Sequence, residues 1–370
     1  MTKSMHPEVL VSLSRSRLAL ASLAIAALAA ACTGGGSSLA PSTDQPTSPP
    51  ASAGASSSGE ASAPTEPIKL VVGLGYIPSV QFAPFYLAQQ EGWYEAAGVE
   101  VEFQNKIDPD LITLVGQGAI DVGLGDGTSV IPAVSQGIPV RYLATIYGQF
   151  PSIVFAKASS GITTAADLEG RKIGIPGRYG SGWIMLQALL GSAGLTPEDV
   201  EIVEYPDFTQ RAAVEQGAVH AATGFANNEP VQLELGGETA VVLRIDDITP
   251  LPGPGLITGT ATLETKRAAI EAFVATTLRA MDAITSDPEL GLDAAIEAVP
   301  ELATAREAQL AVLEATIESW SGAAQQSGGL GAIDEAGWTE SIEYLTSLGL
   351  VPNPVTVADL VEAGSSRGDY

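Results

Sequence analysis

The stretch Val214–Pro230 reads VEQGAVHAATGFANNEP, and its first half has a counterpart earlier in the chain, Val115–Ser129, VGQGAIDVGLGDGTS. Both read as the end of a helix, a Gln-Gly-Ala turn and a short apolar strand with a glycine at its end, Gly125 in one and Gly224 in the other. Asp121 and His220 hold matching places just inside the strand. One copy then runs into Gly125-Asp126-Gly127-Thr128, the other into Phe225-Ala226-Asn227-Asn228-Glu229. In open parallel sheets ligands sit beyond the carboxyl ends of the strands, so these two segments are predicted to face a ligand from two similar lobes.

The surrounding sequence supports two lobes. Short β-branched runs (Ile68–Leu74, Val99–Phe103, Ala119–Leu124) alternate with amphipathic segments (Phe82–Ala97, Asp110–Gln117). The order repeats as strands Lys172–Pro176, Val200–Val203 and Ala218–Thr223 with helices Ser181–Ala193 and Thr209–Gln216. Strand and helix in alternation imply an α/β fold, each lobe a mostly parallel sheet flanked by helices. Beyond Leu263 long helical patterns take over, Lys266–Ser286 and Ala303–Ser319, as a helical C-terminal tail. At 370 residues the chain is also longer than one ordinary core.

The N-terminus is set apart by composition. Lys3, Arg15 and Arg17 precede an uncharged apolar run, Leu18–Ala31, which has the length of a secretory signal and falls short of the roughly 20 residues of a spanning helix. Cys32, the only cysteine, follows three alanines, an arrangement that resembles a bacterial lipobox with Ala29 in place of the commoner Leu. Residues 1–31 therefore read as a lipoprotein signal peptide and Cys32 as the lipidated anchor. Residues 32–67, rich in Gly, Ser, Ala, Thr and Pro, cannot bury enough apolar surface to offset chain entropy and read as a disordered tether. The expected location is extracytoplasmic, held to the cell membrane by that lipid.

Charge and counting narrow the chemistry. The net charge of −26 becomes more negative once the basic leader is removed, and such a surface repels phosphate backbones and anionic headgroups. Nucleic acid is not an expected partner. With His6 in the leader, His220 is the one histidine of the mature chain, so zinc clusters and most Ser or Cys nucleophile systems are largely excluded. No cofactor and no metal are expected. Gly73-Leu-Gly75 begins like a dinucleotide fingerprint, but Pro78 stands where its third glycine belongs. Asp246-Asp247 reads as a solvated acidic pair.

Aromatic residues are scarce, yet Tyr76, Phe82, Tyr147, Phe150, Tyr179, Trp183, Phe208 and Phe225 fall at or just after predicted strand ends, where rings can stack on a flat ligand. About half are expected in the core instead, Phe82 and Phe150 first. Basic residues are scarce in these loops, Arg178 being the clearest, which favours a neutral ligand, although helix N-termini alone can hold an anion. Asn227, Asn228 and Glu229 suit the N–H and C=O edge of a heterocycle. Asn227 also fits as the N-cap of the next helix with Glu229 at N2, and both readings can hold together.

Gly75-Tyr-Ile-Pro-Ser-Val-Gln-Phe-Ala-Pro-Phe-Tyr-Leu-Ala88, Glu91-Gly-Trp-Tyr94, Gly98-Val-Glu-Val101, Ala166-Asp-Leu-Glu-Gly-Arg-Lys-Ile-Gly-Ile-Pro-Gly177 and Asn227-Asn-Glu-Pro230 together resemble the periplasmic solute-binding proteins of ABC importers. The branch is that of thiamine-pyrimidine-precursor, alkanesulfonate, taurine and riboflavin binders, and the resemblance runs from about Ile68 to Leu350. It implies a two-lobed type II binding-protein fold that closes on a small molecule and serves a membrane permease with its ATPase, as a monomer and without catalysis. Lobe 1 would comprise residues 68–149 and 251–370 and lobe 2 residues 150–250, with crossings near Tyr147–Val154 and Asp247–Gly255. The Trp-x-Pro-Asn pattern of thiamine-precursor binders is replaced here by Tyr76-Ile-Pro-Ser79, and the His and cysteine cluster of the related pyrimidine synthase are missing. Tyr76–Gln81 and Asn227–Pro230 are more similar to riboflavin-binding members. The expected ligand is riboflavin, ahead of a hydroxymethylpyrimidine or a sulfonate, and the expected contacts are Tyr76, Gln81, Asp126, Thr128, Tyr147, Tyr179, Trp183, Phe208, Asn227, Asn228 and Glu229.

Overall fold

The structure, a computed structural model, describes residues 66–105 and 110–362. The leader, Cys32 and almost all of the expected tether lie outside the described residues. The described chain opens with β1 (Ile68–Gly73), α1 (Ala83–Gln90), α2 (Trp93–Ala96), β2 (Val99–Gln104), α3 (Leu111–Gly116), β3 (Val122–Asp126), α4 (Gly127–Ser135) and β4 (Val140–Thr145). It continues with β5 (Ser152–Lys157), β6 (Lys172–Ile175), α5 (Gly180–Ser192), β7 (Glu201–Glu204), α6 (Gln210–Glu215), β8 (Ala221–Phe225), α7 (Glu229–Leu235) and β9 (Ala240–Arg244). After β10 (Pro254–Gly259) come α8 (Thr260–Ser286), α9 (Pro288–Ala298), α10 (Arg306–Trp320), α11 (Ala323–Gly328), α12 (Glu335–Ser347) and α13 (Val357–Leu360).

Two five-stranded sheets form the two lobes, in the orders β2-β1-β3-β10-β4 and β7-β6-β8-β5-β9. The repeated Gln-Gly-Ala turn has one physical cause in both. Gly118 (φ 73) and Gly217 (φ 71) are left-handed residues that end α3 and α6, a conformation that a Cβ penalises. Their amides return to Val115 O and Val214 O at 3.0 and 3.1 Å. The matched Asp121 and His220 do the same job one step later. Asp121 Oδ2 accepts from the Val71 amide, and His220 Nδ1 accepts from the Lys172 amide, both at 2.9 Å, so each side chain extends the ladder at the foot of its strand. Register follows: Val72 pairs with Val122 in one sheet and Ile173 with Ala221 in the other.

Each sheet is mixed. Four strands run parallel, while β10 and β5 run against them. These two strands did not stand out in the sequence, and their direction has a simple origin. The chain leaves either lobe at the carboxyl end of a strand and enters the other lobe at the same end, so the arriving strand must run backwards. Pro254 pairs with Asp126, and Ser152 with Phe225, at equivalent ladder positions. The crossing segments are fastened to each other: the amides of Ile146 and Tyr147 bond Pro254 O at 3.1 and 3.0 Å, and Arg244 reaches Phe150 O at 2.8 Å. Asp246 is clasped by Arg244 through both oxygens, at 3.0 and 2.8 Å, which gives that carboxylate a structural duty.

The tail packs on both lobes. One apolar cluster joins Leu70 and Val72 of β1 and Phe85 of α1 to Phe273, Leu313 and Trp320. Another joins Ile131 and Tyr142 to Met185 and Leu186 of α5 and to Trp338 of α12. Trp338 meets the Tyr142 ring edge-on at 4.9 Å, and burying an aromatic of that size contributes roughly 1.5–3 kcal/mol. Among the described residues no helix is long and apolar enough to cross a membrane, and no group of three or more His, Cys, Asp or Glu is placed to hold a metal ion.

Candidate functional site

The carboxyl ends of both sheets face one cavity of about 270 Å³, close to the lower end of the roughly 300–1,000 Å³ usual for small-molecule sites. Lobe 1 contributes the turn after β1, the end of β3 and the start of α4. Lobe 2 contributes the loop from Pro176 into α5, Phe208 and Gln210, and the segment Thr223–Phe225 with Asn228 and Glu229.

Rings dominate the walls. Tyr76, Phe82, Tyr147, Tyr179, Trp183, Phe208 and Phe225 all line the cavity, whereas Phe150 packs in the core behind the crossings. Tyr76 and Phe208 meet across the lobes edge-on at 4.9 Å. Phe208 reaches that position with φ 59, the one left-handed non-glycine among the described residues. Such a backbone costs on the order of 1 kcal/mol or more and persists only where the surroundings enforce it. Arg178, the basic residue singled out in the sequence, is not among the lining residues: its guanidinium lies 5.1 Å from the centre of the Trp183 ring and 3.4 Å from Glu204.

The polar groups form a linked set. Glu229 is the first residue of α7 and accepts from the Phe225 amide at 2.7 Å and from Asn228 Nδ2 at 3.2 Å. Asn228 Oδ1 takes Gln232 Nε2 at 2.5 Å. The N-cap position belongs to Asn228, not Asn227, and neither side chain caps the helix, which corrects the cap expected from sequence. A three-residue turn, Ala226-Asn227-Asn228, moves the helix start along by one.

Asn227 sits elsewhere in the network. It is buried, and its Nδ2 donates to Gln81 Oε1 at 2.9 Å and to Thr316 Oγ1 of α10 at 2.8 Å, so it ties lobe 2 to lobe 1 and to the tail. Thr128 is buried as well and bonds Pro252 O at 2.9 Å. Neither residue reaches the cavity wall, whereas Tyr76, Gln81, Asp126, Tyr147, Tyr179, Trp183, Phe208, Asn228 and Glu229 do. The wall also includes Ser129, Ser181, Gln210 and Thr223, which the sequence did not single out. Ser181 lies at the second position of α5, and its hydroxyl bonds Ser152 Oγ at 2.9 Å.

Electrostatics set the character of the cavity. Among the described residues Asp126 and Glu229 are its two carboxyls, and no Lys, Arg or His of the described residues lines it. Burial pushes both acids above the usual carboxylate range, opposed by Ser181 at Asp126 and by the Phe225 amide at Glu229. Burial likewise raises Tyr76 and Tyr147 above the ordinary phenol value, so both hydroxyls remain protonated donors. A wall of rings, amides and acids, with no cation among the described residues, accommodates a flat neutral molecule rich in N–H and C=O groups better than an anion.

Residues 79–290 match the family described as NMT1/THI5 like. The chain belongs to this family. Riboflavin-binding protein RibY of Chloroflexus aurantiacus is 33% identical over 293 residues, spanning 78% of this chain and 83% of that protein. The 4-amino-5-hydroxymethyl-2-methylpyrimidine phosphate synthase of Legionella pneumophila is 28% identical over 238 residues, 62% of this chain and 74% of that one. Among solved structures, the alkanesulfonate-binding protein SsuA from Xanthomonas axonopodis pv. citri, bound to MOPS, superposes with a TM-score of 0.63 at 18% identity, covering 80% and 99% of the two chains. This NMT1/THI5-like member therefore has the two-lobed fold of the periplasmic binding proteins.

Proposed function

We propose that this chain is the solute-binding lipoprotein of an ABC-type importer and that it captures riboflavin between its lobes for delivery to a membrane permease. The observation that carries this reading is the cavity wall: among the described residues it consists of rings from both lobes, amides and two carboxyls, with no cation. A sulfonate or a pyrimidine phosphate would meet no positive side chain among the described wall residues and would face Asp126 and Glu229. The relationship to a riboflavin-binding protein at 33% identity supports the same ligand. Residues 68–149 with 251–370 and residues 150–250 act as the two halves of the clamp, turning about the crossings. Cys32, acylated after removal of residues 1–31, tethers a monomer outside the cell membrane. The reading is non-enzymatic, since among the described residues the wall holds neither a His nor a Cys to serve as base or nucleophile.

Titrating the purified protein with riboflavin, hydroxymethylpyrimidine and taurine while following flavin and Trp fluorescence tests it. One equivalent of riboflavin is expected to saturate the protein, with the flavin quenched on the cleft rings. A saturable response to the pyrimidine or to taurine, with none to riboflavin, overturns the ligand assignment.

A further inference from the structure

Gln210, the first residue of α6, is part of the cavity wall and only 1% exposed. Its Nε2 donates to the Thr223 carbonyl at 3.2 Å. A carbonyl can only accept, so this bond fixes which end of the amide carries the hydrogens, and a flipped side chain would set two oxygens against each other. The remaining atom, Oε1, is buried and has no hydrogen-bond partner among the described residues. The seat is tight: a Cβ on Gly174 would come within 3.2 Å of Gln210 Cβ and 3.3 Å of the Tyr205 ring. Buried acceptors are nearly always paired, and an unpaired one held in a fixed orientation on a cavity wall calls for a donor.

We propose that Gln210 Oε1 accepts a ring N–H of the ligand. On the riboflavin reading, on which this inference rests, the donor is the imide N–H that lies between the two carbonyls of the isoalloxazine. Among the described residues the other unpaired buried oxygen on the wall is Ser129 Oγ of α4, a hydroxyl of the opposite lobe able to donate to a ligand carbonyl. Gln210 thereby acts as a specificity residue. A ring nitrogen carrying hydrogen satisfies it, and one carrying a methyl group leaves it desolvated and unpaired.

The test compares riboflavin with 3-methylriboflavin on wild-type protein and on Gln210→Met. Methylation is expected to weaken wild-type binding about ten- to a hundredfold. Gln210→Met is expected to lose a similar factor for riboflavin and to bind both flavins about equally. Equal affinities in the wild type overturn the assignment, as does a variant that keeps the wild-type ratio. Should Gln210→Met fail to fold, as judged by its melting curve, the wild-type comparison decides alone: a ten- to hundredfold preference for riboflavin over 3-methylriboflavin supports the assignment, and equal affinities overturn it. Riboflavin binding without discrimination removes this inference alone, whereas absence of riboflavin binding in the wild type removes the ligand reading together with it.

Discussion

At the end of β3 the chain passes directly into α4, whereas at the end of β8 it takes Ala226, Asn227 and Asn228 before α7 begins. The glycines at these two ends occupy equivalent places and make room for different things. A Cβ on Gly125 would fall 2.8 Å from Ile257 Cδ1, and one on Gly224 would fall 2.6 Å from the Glu229 carboxylate. The next matched pair repeats the contrast: Gly127 packs beneath Pro252 and Trp338, while Ala226 is only half-buried. One backbone motif has thus been completed by close packing in lobe 1 and by a polar network in lobe 2. The end of β3 is closely packed, and the end of β8 brings Asn228 and Glu229 to the cavity wall.

Substitutions at matched positions should separate the two. Gly127→Ala drives a methyl group to 2.7 Å from Pro252 Cβ and 2.9 Å from the Trp338 ring, and should destabilise the protein by about 1–3 kcal/mol in denaturant titrations while altering ligand affinity little. Gly224→Ala should show the reverse, because the displaced group is a carboxylate in the cavity. Equal effects on stability would dissolve the contrast.

Thr128 and Asn227 are matched too. Thr128→Val removes one bond to Pro252 O and should cost about 1 kcal/mol, whereas Asn227→Ala removes two buried bonds that join three parts of the molecule and should cost about 2 kcal/mol, measured the same way. Next in size, Asp121→Ala loses the Val71 amide and the 2.9 Å ion pair with Lys266 and should cost about 1–2 kcal/mol. His220→Ala, losing the Lys172 amide alone, should cost about 0.5–1 kcal/mol.

The smallest effect expected is on pH dependence. Asp126 and Glu229 are raised by burial, so the stability they contribute is present below their ordinary values of 3.8 and 4.5 and is lost as pH rises through the raised ones. Replacing them together as Asp126→Asn and Glu229→Gln should flatten the fall in melting temperature above pH 4.5. Asp167 has the opposite sign. The amides and hydroxyls of Thr163 and Thr164 hold it down at about 2, so its contribution is present above 3.8 and is lost as pH falls toward 2. Asp167→Asn should therefore change only the acid limb.

Much of this was legible because local rules and the global fold agree at the repeated turn. Gln-Gly-Ala announces a left-handed helix end, the apolar run announces a strand, and two copies announce two lobes that face each other. The backward strands β5 and β10 were not legible, since their direction depends on where the chain re-enters a sheet and not on SIVFAK or PGLITG as such. Asn227 was read as a cap or a ligand contact because its partner Thr316 lies in the distant tail. Gln210 gave no signal: beside Thr209 it looks like any residue at the start of a helix, and its meaning comes from the Thr223 carbonyl that fixes its amide.

The backward strands also set an order of events during folding. All strands of the second sheet lie in one unbroken stretch from Ser152 to Arg244, whereas the first sheet needs Pro254–Gly259 between β3 and β4. Its central pairing, Asp126 with Pro254, closes a loop that contains the whole of the other lobe. Closing so long a loop costs chain entropy before any contact repays it, which makes the step slow. The second lobe should therefore gain hydrogen-exchange protection first in pulse-labelled refolding, with the first sheet held open, its β3 edge unpaired, until its neighbour is complete.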